Sequence, residues 1–147
     1  MEAKRLNRAA IIRTYKKMLA ITGLKKEELW VSSGAAMVLH GLRGYANDID
    51  SGCHQDAFDK ASSALDIATT PFRANHEYIP EGTPNLIIDN MRMDILLESD
   101  ITPDDLVVFE GITSYTLKAL LRQKRALNRD KDQADIAALV NHLRFRN

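Results

Sequence analysis

The sequence of 147 residues has one cysteine, four prolines and one tryptophan, and its charges cancel, with 20 Lys and Arg against 20 Asp and Glu. The lone Cys53 excludes an internal disulfide and a cysteine-rich zinc site. Zero net charge speaks against a general polyanion binder, which carries an overall basic excess. No stretch approaches the roughly 18 consecutive apolar residues of a membrane helix. The amphipathic start, MEAKRLNRAAIIRTYKKML, lacks the apolar run of a secretory signal. We therefore expect a cytoplasmic protein in a reducing compartment, with no membrane contact.

What is present suits one domain spanning 1–147: the chain is 45% hydrophobic and 27% charged, enough to bury a core without staples. The charges are segregated. Met1–Leu29 holds eight basic and three acidic side chains, Asp94–Glu110 six acidic and no basic, and Tyr115–Lys131 six basic with Asp130 alone acidic. Such an alternation reads either as solvated surface or as an acidic metal centre ringed by phosphate-binding bases.

Apolar periodicity predicts an amphipathic helix over 4–21, stopped by Gly23, and a helical turn at Lys25–Leu29. A β-prone Trp30–Ser32 follows, then a helix over Ala35–Leu42, a strand at Ile49–Cys53 and a helix over Asp56–Asp66. The stretch Phe72–Pro84 carries no clear pattern. Leu86–Asp89 and Met91–Leu97 read as a hairpin about Asp89-Asn90. Val107–Phe109 is a further strand, and helices are expected over Ser114–Leu127 and Asp130–Leu143. The expected fold is α+β: an N-terminal helix, a small mixed sheet over about 30–110, and C-terminal helices over about 114–143.

Three features carry chemistry. Ser33-Gly34 lies between a strand and a helix, where close backbone approach, free N–H groups and the Ser33 hydroxyl suit a phosphate. Asp48 and Asp50 stand two apart in a predicted strand, so both carboxylates share one face, and a divalent cation would relieve their repulsion. Asp94 interrupts an apolar strand in which aspartate is disfavoured. If its strand neighbours that of Asp48 and Asp50, three carboxylates converge on a Mg²⁺ site.

This ordered set resembles the nucleotidyltransferase-fold superfamily, the polymerase-β-like group. Its signature is a small Gly/Ser pair, nine to thirteen residues, Asp-apolar-Asp, and a third Asp on a later strand. Here Ser33-Gly34, Asp48-Ile49-Asp50 and Asp94 occupy those places, with thirteen residues between Gly34 and Asp48. Lys124 to Asp135, followed by Leu139, is similar to the Lys…Lys-Asp-x-x-Asp ending of small bacterial members, the AbiEii-like toxins among them, as is Ala36–Gly41 to their Ala-Leu-x-Leu-His helix. The chain departs from the pattern in its Ser-Gly order and in Ser51-Gly52 after the Asp-x-Asp.

The resemblance implies transfer of a nucleoside monophosphate from an NTP to a hydroxyl, with Mg²⁺ (or Mn²⁺) and release of pyrophosphate. It assigns Asp48, Asp50 and Asp94 to the metal, Asp94 also to the acceptor proton, Ser33 and Gly34 to the β/γ-phosphates, and Lys124 to charge on the leaving group. Acceptors in view are a protein side chain, tRNA or a small molecule such as an aminoglycoside; the relatives suggest a toxin or defence role, in which a partner protein has a place. Plainer readings stand beside each assignment. The Asp pair would cap a turn, Asp94 would pair with Arg92, Ser33-Gly34 would be a simple turn, and Lys124 would be solvated. For Asp132 and Asp135 the structural role is preferred, for His40 and Cys53 burial in the core; Arg43 and Tyr45 stand close enough in sequence to touch a nucleotide. Two rival functions remain: a non-catalytic interaction module of the same fold, and an RNA-binding protein using the basic helix of Tyr115–Lys131.

Overall fold

The computed structural model describes residues 6–65, 85–88 and 91–145. The stretch 72–84 and the hairpin turn at 89–90 lie outside the described residues. Helix α1 (Arg8–Thr22) begins where the Asn7 side chain accepts the Ala10 N–H at 2.9 Å and ends at Gly23, whose φ of 75° suits a residue without a Cβ. Ile11, Tyr15 and Met18 recur at helical spacing along it and are wholly buried.

Strand β1 (Trp30–Ser32) runs directly into helix α2 (Ser33–Leu39). Strand β2 (Ile49–Cys53), helix α3 (Gln55–Leu65), and strands β3 (Asn85–Ile88) and β4 (Met91–Leu97) follow. A hairpin of β5 (Leu106–Phe109) and β6 (Ile112–Tyr115) leads to helices α4 (Leu117–Leu127) and α5 (Gln133–Arg144). The six strands form one mixed sheet in the order β3-β4-β2-β1-β6-β5, and the fold is α+β as expected.

One strand was not visible in the sequence pattern. Ser114 was expected to open a helix, but Ile112–Tyr115 pairs with β5 antiparallel and with β1 in parallel, so the backbone there is extended. The helix starts only after Thr116, whose side chain accepts the Ala119 N–H at 3.2 Å.

Alternation along the central strands separates two chemistries. Ile49, Cys53, Met93 and Ile95 point to one face and are fully buried in the core. Asp50 and Gly52 on β2, and Arg92, Asp94 and Leu96 on β4, point to the other. Helices α1 and α3 touch each other and reach β6 and β4, while α2 packs on β1, β2 and α4. Among the described residues no helix is long and apolar enough to cross a membrane.

Candidate active site

Strands β2 and β4 are parallel neighbours with Asp50 directly opposite Asp94, so the two side chains rise from one face of adjacent strands. Asp48, expected in one strand with Asp50, instead stands in the bend just before β2. One carboxylate oxygen from each of Asp48, Asp50 and Asp94 lies within 4.8 Å of the others. The convergence inferred from the sequence is thus present. Asp50 and Asp94 are buried, and Asp48 is half-buried.

Burial first, and then the charges of Asp48 and Asp94, push the Asp50 carboxyl up to about 7; the Lys124 charge opposes them. Its Oδ1 is buried and has no hydrogen-bond partner. An orphaned, repelled carboxylate oxygen beside two further carboxylates is the donor set that a hard divalent cation completes. Asp94 is held from its own strand: the Arg92 Nε–H donates to both its oxygens, at 2.8 and 3.0 Å. The pairing with Arg92 and the clustering with Asp48 and Asp50 therefore coexist.

Of the triad, Asp50 lines a cavity of about 370 Å³ between the polar sheet face and α4, together with Ser33, Glu98, Tyr115, Arg122 and Gln123. A larger groove of about 790 Å³ runs between β5 and α5 past Phe109 and Phe145, away from the three carboxylates.

No protein-family model matches the chain, and no curated protein matches its sequence. Its structure aligns with that of a candidate nucleotidyltransferase from Thermotoga maritima, over 97% of this chain and 99% of the other, with a TM-score of 0.60 and 14% identity. The chain has a nucleotidyltransferase-like fold. The Asp triad stands on it as a candidate catalytic and metal site.

On this fold the strand-to-helix turn after β1 is arranged differently from the simple expectation. Ser33 takes a φ of 55°, uncommon for a residue with a side chain. Its N–H donates to Gln123 Oε1 of α4 at 3.0 Å, which ties the turn to α4 beside the Ser33 hydroxyl and Gly34 amide that were assigned to phosphate. The Arg43 guanidinium lies over Gly34, with Nη1 2.8 Å from where a Cβ would be, and faces Asp135 at 3.7 Å. Arg43 is thus placed against the Ser33-Gly34 turn.

Lys124 is not on a solvated face. It occupies the inward stripe of α4 with Leu117 and Leu120, 4% exposed, and pairs with Asp132 at 3.4 Å and Asp135 at 3.2 Å. Asp132 also accepts from the Arg129 N–H, Nε and Nη2, at 3.1, 2.7 and 2.9 Å. Burial raises its carboxyl, but the Arg129 hydrogen bonds and the Lys124 and Arg129 charges outweigh this and hold it down at about 2. The structural role expected for Asp132 is therefore combined with another, that of fixing Lys124. Arg122 pairs with Asp105 at 3.0 Å. With Arg122, Lys124 and Arg129 committed to carboxylates, the basic run offers less to RNA than its composition suggests.

Glu98 is the functional candidate that sequence reading missed. It follows β4 and lies over Gly52, accepting from Trp30 Nε1 at 2.8 Å and from the Tyr115 hydroxyl at 2.5 Å. A Cβ on Gly52 would overlap Glu98 Oε1 and meet Trp30 Nε1 at 2.5 Å. Both are locked by their mutual hydrogen bond, so Gly52→Ala should cost about 1–3 kcal/mol of stability. Chemical denaturation reads this directly, and an unchanged midpoint would show that Glu98 is not held there.

Proposed function

We propose that the protein is a Mg²⁺-dependent nucleotidyltransferase acting on a hydroxyl acceptor. The observation that carries this is the triad: Asp48, Asp50 and Asp94 brought within 4.8 Å by strand pairing, on a fold shared with a candidate nucleotidyltransferase. Asp48, Asp50 and Asp94 would hold the metal, which when bound neutralises phosphate charge and makes an acceptor hydroxyl more acidic.

The chain's own groups supply the rest. The acceptor oxygen attacks the α-phosphorus of the NTP, the bond to the β-phosphate bridging oxygen breaks, and pyrophosphate leaves. Asp94, oriented by Arg92, takes or directs the acceptor proton. The Ser33 hydroxyl and Gly34 amide contact the β/γ-phosphate oxygens, with Arg43 beside them. Lys124, buried and fixed by Asp132 and Asp135, offsets charge developing on the pyrophosphate. Residues 1–147 would act as one catalytic unit. The likeness of the Lys124–Asp135 segment to AbiEii-like toxins extends the proposal to a toxin or defence role in the cytoplasm.

Calorimetric titration with each of the four NTPs, with and without Mg²⁺, tests this reading. Wild type should bind one or more NTPs only with Mg²⁺, and Asp48→Ala/Asp50→Ala should weaken that binding at least about 100-fold. A folded wild type that binds none would overturn it in favour of an interaction module. RNA affinity that falls steeply with salt and is unaffected by Asp48→Ala would favour the RNA-binding alternative.

A further inference from the structure

We infer that the protein is a two-fold dimer in which the edge strand β5 pairs antiparallel with β5 of a second copy, joining the two sheets into one. The surface lies away from the triad, and the dimer does not depend on the transferase reading.

Strand β5 stands at one end of the sheet and has a hydrogen-bonded neighbour, β6, on one side only. The two-residue turn Glu110-Gly111, with φ of 49° and 82°, fixes their register. Phe109 and Val107 exchange hydrogen bonds with Ile112 and Ser114, so Val108 between them turns its N–H and C=O outward. Such an edge is ordinarily blunted by a charge, a proline or a bulge. Leu106–Phe109 reads Leu-Val-Val-Phe in continuous register with β6 and carries none of these. Val108 is 53% exposed, and Phe145, across the adjoining groove at the end of α5, is 78% exposed. That groove, of about 790 Å³, is floored by Leu39, Val107, Phe109 and Leu117. Its floor is set in advance: the Phe109 ring lies edge-on to His40 at 4.9 Å and 5.9 Å from the Arg8 guanidinium above it.

The charges at the two ends of β5 select the occupant. The Thr116 N–H donates to Asp105 O at 2.8 Å, which brings the first turn of α4, and with it Lys118, to the Leu106 end. Asp104 stands at the same end. Both are exposed, and neither is in an ion pair among the described residues. At the Phe109 end stand Glu110 and Arg8, joined at 3.6 Å. A two-fold axis at Val108 lays the first end of one protomer against the second end of its partner. Asp104 then faces Arg8 and Lys118 faces Glu110, and the contact occurs twice. Between the ends Val108 opposes Val108 and Val107 opposes Phe109, so apolar side chains meet apolar ones. A net charge of zero leaves no general repulsion between copies. The same patch serves both protomers, so assembly closes at two. Strands β6 and β1 separate β5 from β2, and each triad stays outside the interface.

Sedimentation equilibrium of the full chain from about 1 to about 100 μM tests this, with twice the 16.5 kDa protomer mass expected. Val108→Pro removes the outward N–H and spares the bonds to β6, and Phe145→Ser removes an exposed ring. Each should raise the dimer Kd at least about tenfold. Should Val108→Pro fail to fold, Phe145→Ser carries the test from an exposed position. Ile21→Ser, at an exposed apolar residue on the opposite end of α1 from Arg8, should leave the Kd unchanged. Lys118→Glu and Glu110→Lys should each weaken the dimer, and the chain with both should regain it. A monomer throughout the range, a dimer indifferent to either Val108→Pro or Phe145→Ser, or assemblies that grow beyond two would overturn the inference. So would a double charge swap no tighter than the single ones, or an equal loss from Ile21→Ser, the mark of general apolar adhesion.

Discussion

Asp50→Asn should stabilise the metal-free protein at neutral pH while abolishing its chemistry. The folded Asp50 carboxyl stands at about 7, against about 3.9 in an unfolded chain. Between those values the unfolded state has released its proton and the native state has kept it. Wild-type stability therefore falls as pH rises from about 4 towards 7. Asparagine cannot ionise, so the variant lacks this component and should melt above wild type at pH 7 to 8. Mg²⁺ should reverse the order, because it stabilises the ionised triad of wild type and finds a broken ligand set in the variant. NTP turnover should fall on the order of 10³-fold. Thermal melts from pH 4 to 8, with and without Mg²⁺, check the first part. Parallel profiles for the two proteins would show that the metal-free triad is not strained by Asp50.

The triad was legible because its signals are local. Asp48 and Asp50 differ by the strand period, and Asp94 is a polar residue inside an apolar strand; only the adjacency of β2 and β4 had to be supplied by the fold. Strand β6 was hidden because Ile112–Tyr115 runs into α4 with no Gly or Pro between them, and its partners, β5 and β1, are set by tertiary pairing. The groups surrounding the triad were less legible still. Gln123 meets Ser33 across 90 residues, and Glu98 meets Trp30 across 68. Arg92 was the exception: it lies two residues from Asp94 on the same face, and their pairing was expected from the sequence. No such rule reaches Glu98, because its role depends on bare Gly52 on another strand.

The same dependence on distant partners makes Asp132→Ala the second large effect. Helix periodicity places Lys124 on the inward stripe of α4, where an unpaired ammonium would be untenable. Asp132, 1% exposed, and Asp135 neutralise it, and Arg129 closes the other side of Asp132. Removing the Asp132 carboxylate leaves Lys124 with Asp135 alone and removes all three Arg129 contacts. A loss of about 3–5 kcal/mol is expected. The folded Asp132 carboxyl lies below its unfolded value, at about 2, so the stabilisation it gives is present above about pH 4 and is lost as pH falls through 2. The variant should accordingly show a shallower acid limb in urea denaturation between pH 4 and 2. Lys124→Met separates packing from chemistry. It removes the buried charge, fills similar volume and leaves Asp132 bound to Arg129, so it should cost less stability than Asp132→Ala. If Lys124 serves the triphosphate, Lys124→Met should still lose most of the turnover at full folding. A folded, fully active Lys124→Met would confine Lys124 to holding α4 against the start of α5.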